Sequence, residues 1–220
     1  MDNPSYLKGT DAGAGWDGMM ESVAAALGIS MAAFRAAWSA TEDERYTGSF
    51  PTMQAYLEHV CHRAGVSPKP DGISQAVAIR LEYFTGLASP RVDTIATLVR
   101  LKDCGHKIGL ISDCVLEDAL NWPHTPMAPL VDAAVLSCEV ELRKPDPRIY
   151  RMACERLGVT PGNCLYVGDG GSGELTGASQ VGMGAVLIRA PYDTSKGDRE
   201  DWSGARISSL GEVLDLVAAD

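Results

Sequence analysis

CLYVGDGGSGELTGA, residues 164–178, decides how this 220-residue chain is read. A short apolar run, Cys164 to Val167, reads as a buried strand. Gly168 to Gly171 break it with residues that tolerate unusual backbone angles. Ser172 onward, with Glu174, Leu175, Thr176 and Ala178, reads as a helix. Asp169 thus falls at the carboxyl end of a strand and Glu174 on the first turn of the next helix, where open α/β sheets bind ligands. Two carboxylates converging at such a crevice call for a cation. Mg²⁺, held by one or two carboxylates plus phosphate and water, satisfies that chemistry.

Working outward, strands and helices alternate on both sides of this stretch. Strands are expected over 107–112, 133–136, 185–188 and near Arg206 and Ile207. Helices are expected over 116–122 and 147–157, with a last one carrying Leu210, Val213, Leu214 and Val217. This alternation implies a parallel sheet covered by helices, an α/β fold of Rossmann-like type. An earlier helix has Ser89 and Pro90 as its start, a stripe of Val92, Ile95, Leu98 and Val99, and its end near Gly105. Before Ser89 the pattern changes to four amphipathic helices. They carry Met20, Val23, Ala24 and Leu27; Met31, Phe34 and Trp38; Met53, Leu57, Val60 and Ala64; and Ile73, Ala76, Val77, Leu81 and Phe84. The expected organisation is a polar lead-in over 1–13, a helical-bundle domain over 14–88 and an α/β core over 89–220.

Composition narrows the function. Net charge is −10, with 45% hydrophobic and 22% charged residues. That balance argues against a general nucleic-acid or membrane-surface binder and leaves room for a local anion pocket. Six cysteines are scattered without a C-x-x-C pair and read as reduced core residues. The early apolar run at 23–29 is too short to span a bilayer, so a cytoplasmic protein is expected.

Two further strand ends carry polar groups. The strand KIGLIS ends at Ser112, followed by Asp113; a hydroxyl and backbone amides there can bind phosphate oxygens. In LRKPDPRIY, Lys144 stands just before a helix that Asp146 caps and Pro147 begins, a positive donor for phosphate and for a neighbouring carboxylate.

Ser112, Lys144, then Asp169 with Glu174, each at an element boundary, resembles the haloacid dehalogenase superfamily of hydrolases. ISDC matches its second motif, RKPDPRIY its third and GDGGSGE its fourth, and the four helices correspond to the family's cap domain. The resemblance implies a Mg²⁺-dependent phosphatase acting on a small phosphorylated metabolite. Ser112 and Asp113 would bind substrate, Lys144 would stabilise charge on nucleophile and phosphoryl group, and Asp169 with Glu174 would hold Mg²⁺. The family's first motif, a strand ending in Asp-x-Asp-x-Thr whose first aspartate attacks phosphorus, has no counterpart. Asp2 has no strand before it, Asp11 is followed by Ala-Gly, and Asp17 lies within or beside the first helix.

In the family's strand order the missing strand lies between those ending at Ser112 and Asp169. Its loss would leave them about 10 Å apart, twice the ~4.8 Å spacing of paired strands. The expectation is a shortened version of a longer natural protein, inactive as it stands. A pseudoenzyme or binding partner is the competing reading. A second alternative is a nucleotide-binding module, because Gly168, Gly170 and Gly173 form a literal G-x-G-x-x-G and Asp193 lies twenty residues further on. Against it, Asp193 falls in a loop and Asp169 would oppose pyrophosphate. Substrate identity and oligomeric state stay open.

Overall fold

The computed structural model describes residues 12–86, 90–191, 193 and 201–217. Five helices come first: α1 (Ala12–Leu27), α2 (Met31–Ala40), α3 (Glu42–Tyr46), α4 (Met53–Arg63) and α5 (Pro70–Gly86). Four of them follow the expected apolar stripes, and those stripes meet in one cluster that buries Met20, Val23, Leu27, Phe34, Leu57, Val60 and Ala76. The helix α3, EDERY, has no apolar period and was not expected. Its one buried residue is Arg45, whose guanidinium lies 3.8 Å from the Trp38 ring centroid and donates to the Trp38 carbonyl at 3.0 Å. Burial, with the nearby Arg80 charge, pushes the Arg45 pKa down to about 10.

The second part alternates strands and helices in the expected order, with one short helix over Ser137–Val140 that was not expected. It comprises α6 (Thr94–Asp103), β1 (Gly109–Ser112), α7 (Leu116–Asn121), β2 (Ala133–Leu136), α8 (Ser137–Val140), α9 (Pro147–Leu157), β3 (Leu165–Gly168), α10 (Glu174–Gln180), β4 (Gly184–Ile188), β5 (Arg206–Ile207) and α11 (Val213–Val217). All strand pairs are parallel, but they form two sheets rather than one: β1–β2, and β3–β4–β5. Among the described residues no strand pairs with the second edge of β1 or of β3.

This arrangement corrects the reading of 164–167 as a buried strand. Leu165 is 37% exposed, and Tyr166 and Val167 are half-buried, because β3 is a sheet edge. In β4, paired on both sides, Val186 to Ile188 are buried. The helix α9 holds the two sheets together. Its buried Ile149, Tyr150, Ala153 and Cys154 share a cluster with Ile111 and Val135 of the first sheet and Tyr166 and Ala185 of the second. The ends of α9 are set locally. Asp146 caps it, its side chain accepting from the Arg148 amide at 2.9 Å; Pro147 opens it; and Gly158, at φ 63°, closes it.

Two other boundaries differ from expectation. The helix α6 begins at Thr94 rather than at Ser89–Pro90; Pro90 is not helical, Val92 is fully solvent-exposed, and Asp93 stands at the N-cap. The Asp93 carboxylate accepts from the Gly211 amide at 3.0 Å, tying this turn to the last segment of the chain. The lead-in to Gly13 lies mostly outside the described residues, as does Ser89, although α1 has begun by Ala12.

The helical group meets the α/β part at two places. At the first, Glu117 of α7 accepts from Arg80 of α5 and Tyr56 of α4, with Arg80 and Glu117 fully buried. At the second, the turn after α3 lies against α8. Gly48, at φ 69°, approaches so closely that an added Cβ would stand 1.9 Å from the Cys138 carbonyl oxygen. There Arg143 also donates to Asp43 at 2.6 Å, its guanidinium 4.4 Å from the Tyr46 ring centroid. No single described helix is long and apolar enough to cross a membrane. Helices α1 and α2 pass that test only as a pair bent by 103°, and their apolar faces form the core of the helical group.

Candidate active site

The residues singled out in the sequence lie at the carboxyl ends of parallel strands. Ser112 ends β1 and Asp113 follows it; Lys144 precedes α9; Asp169 follows β3; Glu174 opens α10. Hydrogen bonds join three of them. The Lys144 amide donates to Asp113 Oδ1 at 2.9 Å, and Lys144 Nζ donates to Glu174 Oε2 at 2.6 Å. Side-chain exposure is 12% for Lys144 and 5% for Glu174, so this ion pair is largely out of water and weakly screened. Ser112 is half-buried beside Asp113. Asp169 Oδ1 accepts from the Gly171 amide at 3.0 Å, which fixes the turn after β3.

Within the site, Glu174 accepts three hydrogen bonds through its carboxylate. Its Oε2 accepts from Lys144 Nζ and, at 2.8 Å, from Tyr166 Oη, while its Oε1 accepts from the Gly170 amide at 3.0 Å. Its backbone carbonyl accepts from Tyr150 Oη at 3.0 Å. Gly168 has to be glycine for the same reason: an added Cβ would lie 2.2 Å from Glu174 Oε1. The Gly170 amide, which a dinucleotide fold would offer to pyrophosphate, is given to this carboxylate.

Electrostatics follow from burial. Burial alone would lower the Lys144 pKa, but the Glu174 and Asp113 carboxylates outweigh it and hold the ammonium above its ordinary range. Burial raises the Asp113 pKa against the opposing pull of Lys144. Asp113 Oδ2 is buried with no hydrogen-bond partner among the described residues. The Tyr166 phenol, buried beside Glu174, is pushed well above its ordinary value and stays a donor.

Tyr166 is the site residue that sequence reasoning missed, because a tyrosine in a strand reads as core. Arg143 is a second: it precedes Lys144, its charge acts on Asp113, and it reaches α3. No group of three or more His, Cys, Asp or Glu side chains preassembled for a metal occurs among the described residues.

The chain is similar to known proteins in sequence and in fold. The chain is 28% identical over 165 residues to a glyceraldehyde 3-phosphate phosphatase from Methanopyrus kandleri, covering 74% of this chain and 71% of that protein. It spans 54–58% of the length of the next curated relatives, which include both phosphatases and an (S)-2-haloacid dehalogenase. Among solved structures, a haloacid dehalogenase (HAD) phosphatase from Thermococcus onnurineus superimposes with a TM-score of 0.63 at 25% identity, covering 92% of this chain and 87% of that one. A HAD family enzyme from Bacteroides thetaiotaomicron, in complex with magnesium and inorganic phosphate, shares the fold at a TM-score of 0.53 and 17% identity, covering 73% and 76%. The profile of the haloacid dehalogenase-like hydrolases matches residues 19–182, and the chain therefore belongs to that family of hydrolases.

Proposed function

We propose that the chain carries the cation- and phosphate-binding side of a Mg²⁺-dependent phosphatase for a small phosphate monoester. The observation that carries this reading is the buried Lys144, held charged by Glu174 at the strand ends next to Asp113. A fixed ammonium in a poorly solvated site offsets charge on a phosphoryl group without reorganising. The Ser112 hydroxyl is the candidate donor to phosphoryl oxygens. Tyr166 and the Gly170 amide keep Glu174 aimed at Lys144.

The donor set fits a hard cation. Asp113 has an orphaned buried oxygen, and Asp169 supplies a second carboxylate at the end of β3 in the other sheet. Asp169 and Asp113 would hold Mg²⁺, with Glu174, three of whose acceptor positions are taken, binding it last. When bound, Mg²⁺ neutralises phosphoryl charge as nucleophile and substrate approach each other.

The nucleophilic carboxylate belongs, in this reading, on a strand seated between β1 and β3. The half-exposed residues of those strands and the division into two sheets support it. Without such a carboxylate in place the site is expected to bind without turning over, and the division 14–88 and 89–220 corresponds to cap and core in a cytoplasmic enzyme.

Calorimetric titration with Mg²⁺, then with inorganic phosphate, tests the reading. Binding of Mg²⁺ is expected to weaken at least tenfold in Asp169→Asn, and phosphate binding to vanish in Lys144→Ala. Unchanged Mg²⁺ affinity in Asp169→Asn overturns it.

A further inference from the structure

The Sγ atoms of Cys114 and Cys138 stand 3.7 Å apart, and both cysteines are free thiols. Each lies two residues past the last registered pair of the first sheet, Ser112 opposite Leu136. The paired strand ends run about 4.8 Å apart, and just beyond them Cys114 and, in α8, Cys138 bring their sulfurs within reach of a bond of about 2.05 Å. Ser137 locks the two strand ends in this register: its hydroxyl accepts from the Cys114 amide at 2.9 Å and donates to the Cys114 carbonyl at 3.2 Å. The pair has a functional neighbour on each side. Cys114 follows Asp113, which holds the Lys144 amide, and the Cys138 carbonyl is the surface on which Gly48 of the helical group rests.

We propose that Cys114 and Cys138 form a reversible disulfide under peroxide, and that its formation shifts the Asp113–Lys144 contact. Cys138 is partly exposed and Cys114 is 1% exposed, so Cys138 reacts first. Its thiolate sulfur attacks one peroxide oxygen, the O–O bond breaks, and the leaving hydroxide takes a proton to become water, leaving a sulfenic acid. The Cys114 sulfur then attacks the Cys138 sulfur, the S–O bond breaks, and the departing hydroxide takes the Cys114 proton as a second water. Peroxide gains two electrons, and the two sulfurs supply them. Closing from 3.7 Å to an S–S bond of about 2.05 Å moves the sulfurs by more than 1.5 Å in all. The β1–α7 turn and the start of α8 share that movement, against the roughly 0.5 Å tolerance of a preorganised site. A dithiol reverses it.

The second close pair, Cys154 and Cys164 at 3.8 Å, joins α9 to the opposite end of β3 and serves as an internal comparison. The test uses the full chain in a Cys104→Ser background, which removes the exposed thiol. After peroxide, free thiols are alkylated and the protein is cut at Glu117, which places Cys114 and Cys138 on separate peptides. The expected result is those two peptides joined and released by dithiol, no joining in Cys138→Ser, and a dimedone adduct on Cys138 in Cys114→Ser. The Lys144 amide resonance is expected to move on oxidation of the parent protein and to stay in place in Cys138→Ser. A cross-link only between Cys154 and Cys164, or conversion of Cys138 to sulfinic acid without joining, overturns the disulfide. A fully joined protein with an unmoved Lys144 resonance overturns its coupling to the site.

Discussion

Glu117→Ala removes the acceptor of two buried donors at once. Glu117 Oε1 accepts from Arg80 Nε and Tyr56 Oη, and all three side chains are out of water. Burial by itself would lower the Arg80 pKa; the Glu117 carboxylate reverses the direction, so the guanidinium stays charged. Truncating one partner of a buried ion pair costs roughly 3–5 kcal/mol, and the phenol left without an acceptor adds about 1 kcal/mol or more. The Arg80 guanidinium, 4.4 Å from the Trp38 ring centroid and 5.2 Å from that of Phe84, keeps those contacts in both proteins, so they leave the difference unchanged. The expected net loss is about 4–6 kcal/mol. Urea unfolding followed by tryptophan fluorescence reads it as a midpoint lowered by about 1.5–2 M, at a slope of about 3 kcal/mol/M. The triple variant Arg80→Met, Glu117→Leu, Tyr56→Phe removes every buried polar group of the network together. It is expected within about 1 kcal/mol of the parent protein, since a well-packed apolar replacement avoids the desolvation cost. A Glu117→Ala loss below about 1 kcal/mol, or a triple variant as unstable as the single losses combined, would refute the reasoning.

Two further outcomes follow from other contacts. Gly48→Ala, with positive φ and a Cβ 1.9 Å from the Cys138 carbonyl, is expected to cost more than about 2 kcal/mol in thermal unfolding. Gly65→Ala, at φ 73° with open space around it, is expected to cost only about 1 kcal/mol, and equal losses would sink the close-approach argument. Burial, with the Glu117 charge beside it, raises the Asp118 pKa from 3.8 to about 7, while Arg80 and the Val115 amide pull the other way. The folded state therefore binds the proton more tightly than the unfolded one. The contribution of Asp118 is fully present below about pH 4 and is lost as pH rises to about 7, by up to ~4 kcal/mol. Asp118→Asn is expected to flatten that part of the stability profile, and an unchanged profile in unfolding scans from pH 4 to 8 contradicts it.

The features legible in the sequence were those whose signals are local. Asp146, Pro147 and Gly158 set both ends of α9, and β2 fell at 133–136 as expected. Helix α3 escaped because five mostly charged residues carry no apolar period, and its buried arginine is held by stacking on Trp38. The start of α6 was misplaced because Ser89–Pro90 imitates a helix opening, whereas Asp93 is fixed by a contact with Gly211, 118 residues away. That Asp113 and Asp169 follow strands, Lys144 precedes α9 and Glu174 opens α10 was legible, because element boundaries in an α/β fold are marked locally. Which carboxylate would hold the lysine was not, since that depends on Tyr166 and Gly170 reaching Glu174 across a turn. The Arg80–Glu117 pair was equally silent: each sits in an amphipathic helix, where a charge normally faces water.

The position of α9 bears on how the molecule opens. Because β1–β2 and β3–β4–β5 share no ladder hydrogen bonds among the described residues, neither sheet protects the other's amides through direct pairing there. Their mutual packing passes through α9, whose apolar face lies on both, and through α6, whose Leu98 and Leu101 share a cluster with Ile108 just before β1 and with Val167 and Val186 of the second sheet. Cooperative exchange units tend to follow such packing boundaries, so the two half-sheets are expected to exchange as separate units in native-state hydrogen exchange, with α9 and α6 as the segments whose loss uncouples them.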